Sequence, residues 1–314
     1  MAANAGPPAS LRHAATVVLL RDAPGGLEAY LVERARSMTF GGVFAFPGGR
    51  VDPVDGDIEV PWVGQALAGV MSALEPDGAL ARALVHAAVR ETFEECGVLL
   101  ATQATAAQTG PAGPRPVSVD PTGPGWAADR QAMERRELTL AGLLARHGLT
   151  LRADLLAPWA RWITPEIEPR RYDTRFFMAA LPPGQTPGEL SGEADRMLWI
   201  RPADALERHA ARDLRMLPPT AWILSDLLGF TSVADVLAAA PSRAITSVMP
   251  KIVIFDDAVH FLLPHDPEYA DAGPPVDPAA AATTIAAAPT GSSADGWTRG
   301  TDEPRVQVAG RERP

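Results

Sequence analysis

The sequence predicts an α+β protein, a mixed sheet held between helices in an α/β/α sandwich. Three observations predict it. Short apolar, β-branched runs alternate along the chain with alanine-rich runs of helical length. Clusters of Gly, Pro and Asp punctuate them where a chain must turn. A 46% hydrophobic content over 314 residues suffices for a sizeable core.

The elements follow in order. Residues 1–9 are read as a flexible start. Residues 14–20 and 27–33 are apolar strands around the turn Asp22-Ala-Pro-Gly-Gly26, which predicts a hairpin. A short strand at 43–46 runs into Pro47-Gly48-Gly49, and residues 80–96 have the length and alanine content of a helix stopped by Gly97. Between them, 56–79 is an insertion with at most one short helix, since Pro61, Gly64, Gly69, Pro76 and Gly78 interrupt it. Residues 101–124, rich in Ala, Thr, Gly and Pro, are read as a linker and 129–147 as one helix, together a loop-and-helix insertion over 101–150. Strands are expected at 157–163, 174–181 and 197–201, then helices at 203–209, 219–228 and 233–239. The main domain is thereby bounded at 10–230, with a helix and hairpin (251–255, 258–263) as an extension over 231–266. The small, polar, Ala/Pro/Gly-rich stretch 267–314 is expected to be disordered. No solenoid or propeller period is present.

The balance of 28 basic against 38 acidic residues argues against a nucleic-acid or membrane-surface binder, which needs a basic footprint. An anionic ligand must then meet a local arginine patch or a metal ion. The basic residues are nearly all arginine, Lys251 being the only lysine. A single cysteine, Cys96, forms no intrachain disulfide, and no run approaches the ~18 apolar residues of a membrane helix. A cytoplasmic location is expected.

The chemistry concentrates in residues 90–98, Arg-Glu-Thr-Phe-Glu-Glu-Cys-Gly-Val. At about 100° per residue, Glu91, Glu94 and Glu95 fall within about 100° of arc, opposite Val85, Val89, Phe93 and Cys96. Glutamates at i, i+3 and i+4 repel one another unless cations compensate, and hard divalent cations prefer such oxygen donors. Taken alone the cluster would be a solvated face. The loop Gly48-Gly49 changes that, because glycine lets backbone approach an ion or a phosphate closely. Arg90 lies four residues before Glu94, a spacing that suits a salt bridge. His86, one turn earlier, is read as structural. Trp159, Trp162 and Trp199 are read as core or pocket wall, Cys96 as packing, and Asp256-Asp257 as a turn.

These residues resemble the Nudix hydrolase family, whose box reads G-x5-E-x7-R-E-U-x-E-E-x-G-U, with U aliphatic. Arg90, Glu91, Glu94, Glu95, Gly97 and Val98 match its second half, with Thr92 at an aliphatic position. Gly49 takes the glycine position. Six residues on stands Asp55 in place of glutamate, and 34 residues separate it from Arg90 where the pattern has seven. Glu59 and Glu75 are alternatives to Asp55 if the insertion loops out.

The resemblance implies a Nudix-type mixed sheet and metal-assisted attack of water on a diphosphate. Mg2+ or Mn2+ would be held by Glu91, Glu94, Glu95 and the Gly48 carbonyl, with Arg90 orienting a glutamate. A later-loop carboxylate, Glu193 or else Glu189, would join Arg90, Glu91 and Glu94 in catalysis. Residues 31–37, 42–53, 162–165 and 170–177 look like the coenzyme A diphosphatase branch. Arg34, Arg36, Gly49, Arg50, Arg170 and Arg171 would then meet the phosphates of a small-molecule substrate, guanidinium forks suiting phosphate oxygens. Other readings are hydrolysis of ADP-ribose, dinucleotides or nucleoside triphosphates, and a noncatalytic nucleotide-binding module.

Overall fold

The structure is a computed structural model that describes residues 8–36, 41–57, 60–62, 75–110, 113–166, 168–188, 194–255, 258–264, 269 and 306–308. Strands β1 (Leu11–Ala23) and β2 (Gly26–Arg34) form the expected hairpin, with Gly26 at φ 111° in its turn. They are followed by β3 (Phe44–Ala45), β4 (Gly48–Arg50), the short helix α1 (Pro53–Gly56) and the long helix α2 (Gly78–Cys96). The later strands of the main sheet are β8 (Ala157–Ile163), β9 (Arg171–Ala180), β10 (Ala194–Ile200) and β11 (Ser247–Val248). They assemble in the order β10-β2-β1-β9-β8-β11, with β3 on β2 and β4 on β1. The β1–β9 and β8–β11 pairs are parallel and the rest antiparallel, the mixed sheet that was expected.

The hairpin forks. β1 and β2 pair only from Leu20↔Ala29 to Ala23↔Gly26, while the earlier half of the same β1 edge pairs with β4 at Ala14↔Arg50, Ala15↔Gly49 and Thr16↔Gly48. The glycine loop enters this fork, and Val17 N–H donates to the Pro47 carbonyl at 2.8 Å where the partners change.

Strand alternation sends successive side chains of β1 to opposite faces. Ala15, Val17 and Leu19 pack with Leu84, Val85, Ala88, Val89 and Phe93 of α2. Val18 and Leu20 pack with the helices α5 (Pro202–Ala210), α6 (Pro218–Leu227) and α7 (Val233–Ala239) on the other side. Before them in the chain, α3 (Pro124–Glu134) and α4 (Leu140–His147) close over α2 from outside. The alanines of α2 at 81, 83, 87 and 88 let it be buried on nearly all sides, more than a simple two-faced helix.

Two sequence expectations change here. Residues 101–118 are not a linker: β5 (Ala101–Gly110) and β6 (Gly113–Ser118) pair with each other, and β5 also pairs with β7 (Leu149–Leu151). Leu149 and Leu151 belong to the core, so tertiary pairing overrides the weak strand propensity of this Ala/Thr/Gly segment. The helix read over 129–147 is two, broken at Arg135–Thr139, where Arg136 takes φ 61° and Thr139 caps α4 by accepting from Gly142 N–H. The late hairpin forms as β12 (Lys251–Phe255) and β13 (Ala258–Leu262), and β14 (Val306–Val308) pairs with β13. Asp256 and Asp257 lie outside the described residues.

Candidate active site

Helix α2 begins under Asp77, whose side chain accepts from Ala79 and Leu80 N–H, and ends at Gly97 with φ 71°. Its last two turns lie against β4. Gly48 N–H donates to Glu95 Oε2 at 2.9 Å. A Cβ built on Gly49 would run into the Glu91 carboxylate, and one on Gly48 would lie 2.6 Å from Thr16 Cα. Only glycine allows this approach at either position.

Arg90 organises the carboxylates. Its Nε and Nη2 donate to the two Asp55 oxygens at 3.0 and 2.9 Å, Nη1 donates to Glu91 (2.8 Å) and Glu94 (3.1 Å), and Nη2 also reaches the Arg50 carbonyl (2.9 Å). Burial works against the guanidinium charge, but the Asp55 hydrogen bonds and the charges of Glu91, Asp55 and Glu94 outweigh it and hold Arg90 protonated. Asp55 is 1% exposed and also accepts from Asp52 N–H at 2.8 Å. Thus the residue six beyond Gly49 meets Arg90 despite the 34 residues between them. Of its two alternatives, Glu75 pairs elsewhere and Glu59 lies outside the described residues.

Glu94 carries the main electrostatic load. Burial pushes its carboxyl up to about 7, with the negative charges of Glu91 and Asp55 adding to burial and Arg90 opposing. His86 is structural, as expected: Nδ1 lies 2.8 Å from the Asp55 carbonyl, which can only accept, so this nitrogen carries the proton. Burial keeps the ring neutral. Cys96 is fully buried and its thiol is pushed up to about 12, chiefly by burial.

The arginines proposed from sequence for phosphate divide. Arg34 is partly buried, with its buried Nε lacking a hydrogen-bond partner among the described residues. Arg36 and Arg170 are exposed. Arg50 pairs with Asp52, and Arg171 is buried, donating to the Thr164 and Ala9 carbonyls. Glu189 and Glu193 lie outside the described residues.

Sequence reasoning missed a second polar group on the α2 face of the sheet. Arg175 on β9, 0% exposed, pairs with Glu75 and with Asp173 at 2.8 Å, while Arg161 on β8 grips Asp173 at 2.9 and 2.7 Å. In register, Gly49, Ala15, Arg175 and Arg161 form one row across four strands, so Arg175 stands about 10 Å from Gly49. The signal was charge at every second residue of β9, Arg171, Asp173 and Arg175, on the inward face.

The chain is similar to known proteins. The NUDT19 Nudix domain pattern matches residues 75–227. The human acyl-coenzyme A diphosphatase NUDT19 is 31% identical over 192 residues, 58% of this chain and 49% of the human protein, so the match spans about half the length of that relative. The chicken protein of the same name is 27% identical over 305 residues, 82% of this chain and 79% of its own. A solved NUDIX hydrolase from Alicyclobacillus acidocaldarius superposes with a TM-score of 0.55 at 29% identity, covering 73% of this chain and 96% of that one. Over nearly half of its length the chain is thus similar to the NUDT19 Nudix domain. The matched stretch takes in Arg90 to Val98, while Gly49 and Asp55 lie ahead of it and reach it through the Asp55–Arg90 hydrogen bonds.

Nudix hydrolases generally need a divalent metal. The donor set fits one in kind: three half-buried carboxylates with only oxygen to offer, one of them raised chiefly by burial and further by its acidic neighbours. Among the described residues no three acidic, His or Cys side chains are already gathered around one point; Glu91 and Glu94 meet on Arg90 Nη1, and Glu95 turns to the Gly48 amide. Among the described residues no helix is long and apolar enough to cross a membrane.

Proposed function

We propose that the protein is a divalent-metal-dependent hydrolase that cleaves the diphosphate linkage of coenzyme A or an acyl-coenzyme A by attack of water on phosphorus. The carrying observation is the closure of the split box, in which Arg90 grips Asp55 with two hydrogen bonds and steadies Glu91 and Glu94 with its remaining nitrogen. The substrate class is supported by the name shared by the human and chicken relatives.

Magnesium or manganese, held by Glu91, Glu94 and Glu95 with the Gly48 carbonyl, would supply charge to neutralise the phosphates and would lower the pKa of water. Arg90 orients Glu91 and Glu94. Glu94 and Glu193 are the two candidates for accepting the proton of the attacking water. Arg34 is the favoured phosphate partner, its Nε having no hydrogen bond among the described residues. Arg36, Arg50 and Arg170 border the substrate path in this reading, as does Gly49, while Arg171 serves the fold. In this reading the partner is a small-molecule diphosphate, and the cytoplasmic location expected from the sequence is kept as part of the proposal.

The test is a substrate panel of coenzyme A, an acyl-coenzyme A, ADP-ribose, a dinucleotide and a nucleoside triphosphate, with magnesium, manganese or chelator. Coenzyme A should yield a phosphopantetheine and an adenosine bisphosphate only when metal is present. Turnover of ADP-ribose, dinucleotide or triphosphate but not of coenzyme A refutes the substrate, and binding without any turnover refutes the enzyme.

A further inference from the structure

The last four carbonyls of any helix lack intrahelical partners and must find others when buried. In α2 these belong to Phe93, Glu94, Glu95 and Cys96. Gly97 N–H donates to Phe93 O at 2.9 Å and Gly188 N–H to Cys96 O at 2.8 Å. The middle two are taken by one side chain: Arg130 of α3 donates from Nε to Glu94 O at 2.8 Å and from Nη2 to Glu95 O at 2.9 Å. The two peptide units so gripped carry two of the carboxylates assigned to the metal.

The slot for this guanidinium is built. A Cβ on Gly97 would sit 3.5 Å from Arg130 Nη1, and one on Gly188 would sit 3.3 Å from the same atom. The Arg130 side chain is 11% exposed. The helix that delivers it is anchored along its length. Trp126 packs edge-on against Phe93 and stacks on His147 at 3.9 Å, and buried Asp129 holds His147 at 2.7 Å and pairs with Arg146.

The location also matters electrostatically. α2 has no basic residue in its last turn, although three glutamates crowd the pole where the helix dipole is negative. Arg130 supplies a positive charge there from another helix.

We propose that Arg130 is a positioning residue for the metal carboxylates, fixing the aim of Glu94 and Glu95 by holding the main-chain carbonyls from which they spring. The inference rests on the metal reading given above. Its sign separates it from rival roles. A cation that acted only by charge would repel a divalent ion, so its removal would tighten metal binding. A residue serving only the fold would lower the melting temperature and leave the affinity of the folded protein unchanged. A positioning residue weakens metal binding when lost, even when lysine keeps the charge, because lysine cannot span two carbonyls with a planar fork.

The experiment is manganese binding to the full chain, followed by the electron paramagnetic resonance of free Mn2+, for wild type, Arg130→Lys and Arg130→Met, with helix content checked by circular dichroism. About tenfold weaker binding is expected for Arg130→Met, with partial recovery in Arg130→Lys, the scale seen when groups that orient metal ligands are removed. Unchanged or tighter binding in the folded variants overturns the proposal. Wild-type protein that binds no manganese overturns the metal reading, and this inference with it.

Discussion

Replacing Asp55 by alanine should both destabilise the protein and slow it. Asp55 and Arg90 are joined by two hydrogen bonds of 3.0 and 2.9 Å, with side chains 1% and 9% exposed. Removing one member of a buried pair strands the other charge, at a cost of about 3–5 kcal/mol. Arg90 would keep Glu91, Glu94 and the Arg50 carbonyl, which places the cost at the low end, about 3 kcal/mol. At roughly 2–4 °C per kcal/mol for a domain of this size, the melting temperature should fall by about 6–12 °C. Turnover should fall on the order of 10²-fold, because an Arg90 freed from Asp55 shifts the two glutamates it orients. Asp55→Glu restores the carboxylate but adds a methylene where there is no room, so it should cost about 1–3 kcal/mol and keep most activity. Calorimetry and coenzyme A turnover at saturating magnesium measure both effects. An Asp55→Ala protein that melts within a degree or two of wild type with normal turnover would refute the coupling of the two half-boxes.

The two glycines should fail differently: Gly48→Ala collides with β1 backbone and should lower the melting temperature, whereas Gly49→Ala collides first with the movable Glu91 side chain and should weaken manganese binding in a folded protein. Equal melting losses for both would contradict this. Glu94 should make the metal-free protein pH-sensitive. A carboxyl at about 7 when folded and 4.5 when unfolded binds more protons in the folded state, so its contribution to stability falls as pH rises from about 4.5 to about 7. Urea midpoints in chelator should lose this component in Glu94→Gln, and identical pH profiles for the two proteins would rule it out. Cys96, fully buried and with its thiol near 12, should resist iodoacetamide at pH 8 until the protein unfolds; stoichiometric labelling of the native protein would count against that burial.

The carboxylate helix was legible because spacing alone places Glu91, Glu94 and Glu95 on one arc, and the glycine loop because two adjacent glycines mark a close approach. The hairpin from Leu11 to Arg34 was legible from its turn residues. What stayed hidden depended on partners distant in sequence. β5 is a strand because Leu149–Leu151 lies beside it, not because Ala and Thr favour one. Arg171 looked like a phosphate ligand and is spent on two backbone carbonyls, while Arg175 drew no notice and is fully buried between Glu75 and Asp173. A one-dimensional reading sees that an arginine is present; which acceptor it finds is decided by strand register.

The grip of Arg90 on Asp55 has a bearing on how such chains change length. Because the two ends of the intervening segment are held at hydrogen-bonding distance by the protein itself, the general cost of lengthening it is loop-closure entropy, which grows with the logarithm of length. Going from seven residues to 34 costs about 1.4 kcal/mol on that scaling. The interval between α1 and α2 is therefore a natural port for grafting a reporter peptide or a small folded module, with catalytic turnover as the readout that the seam has closed.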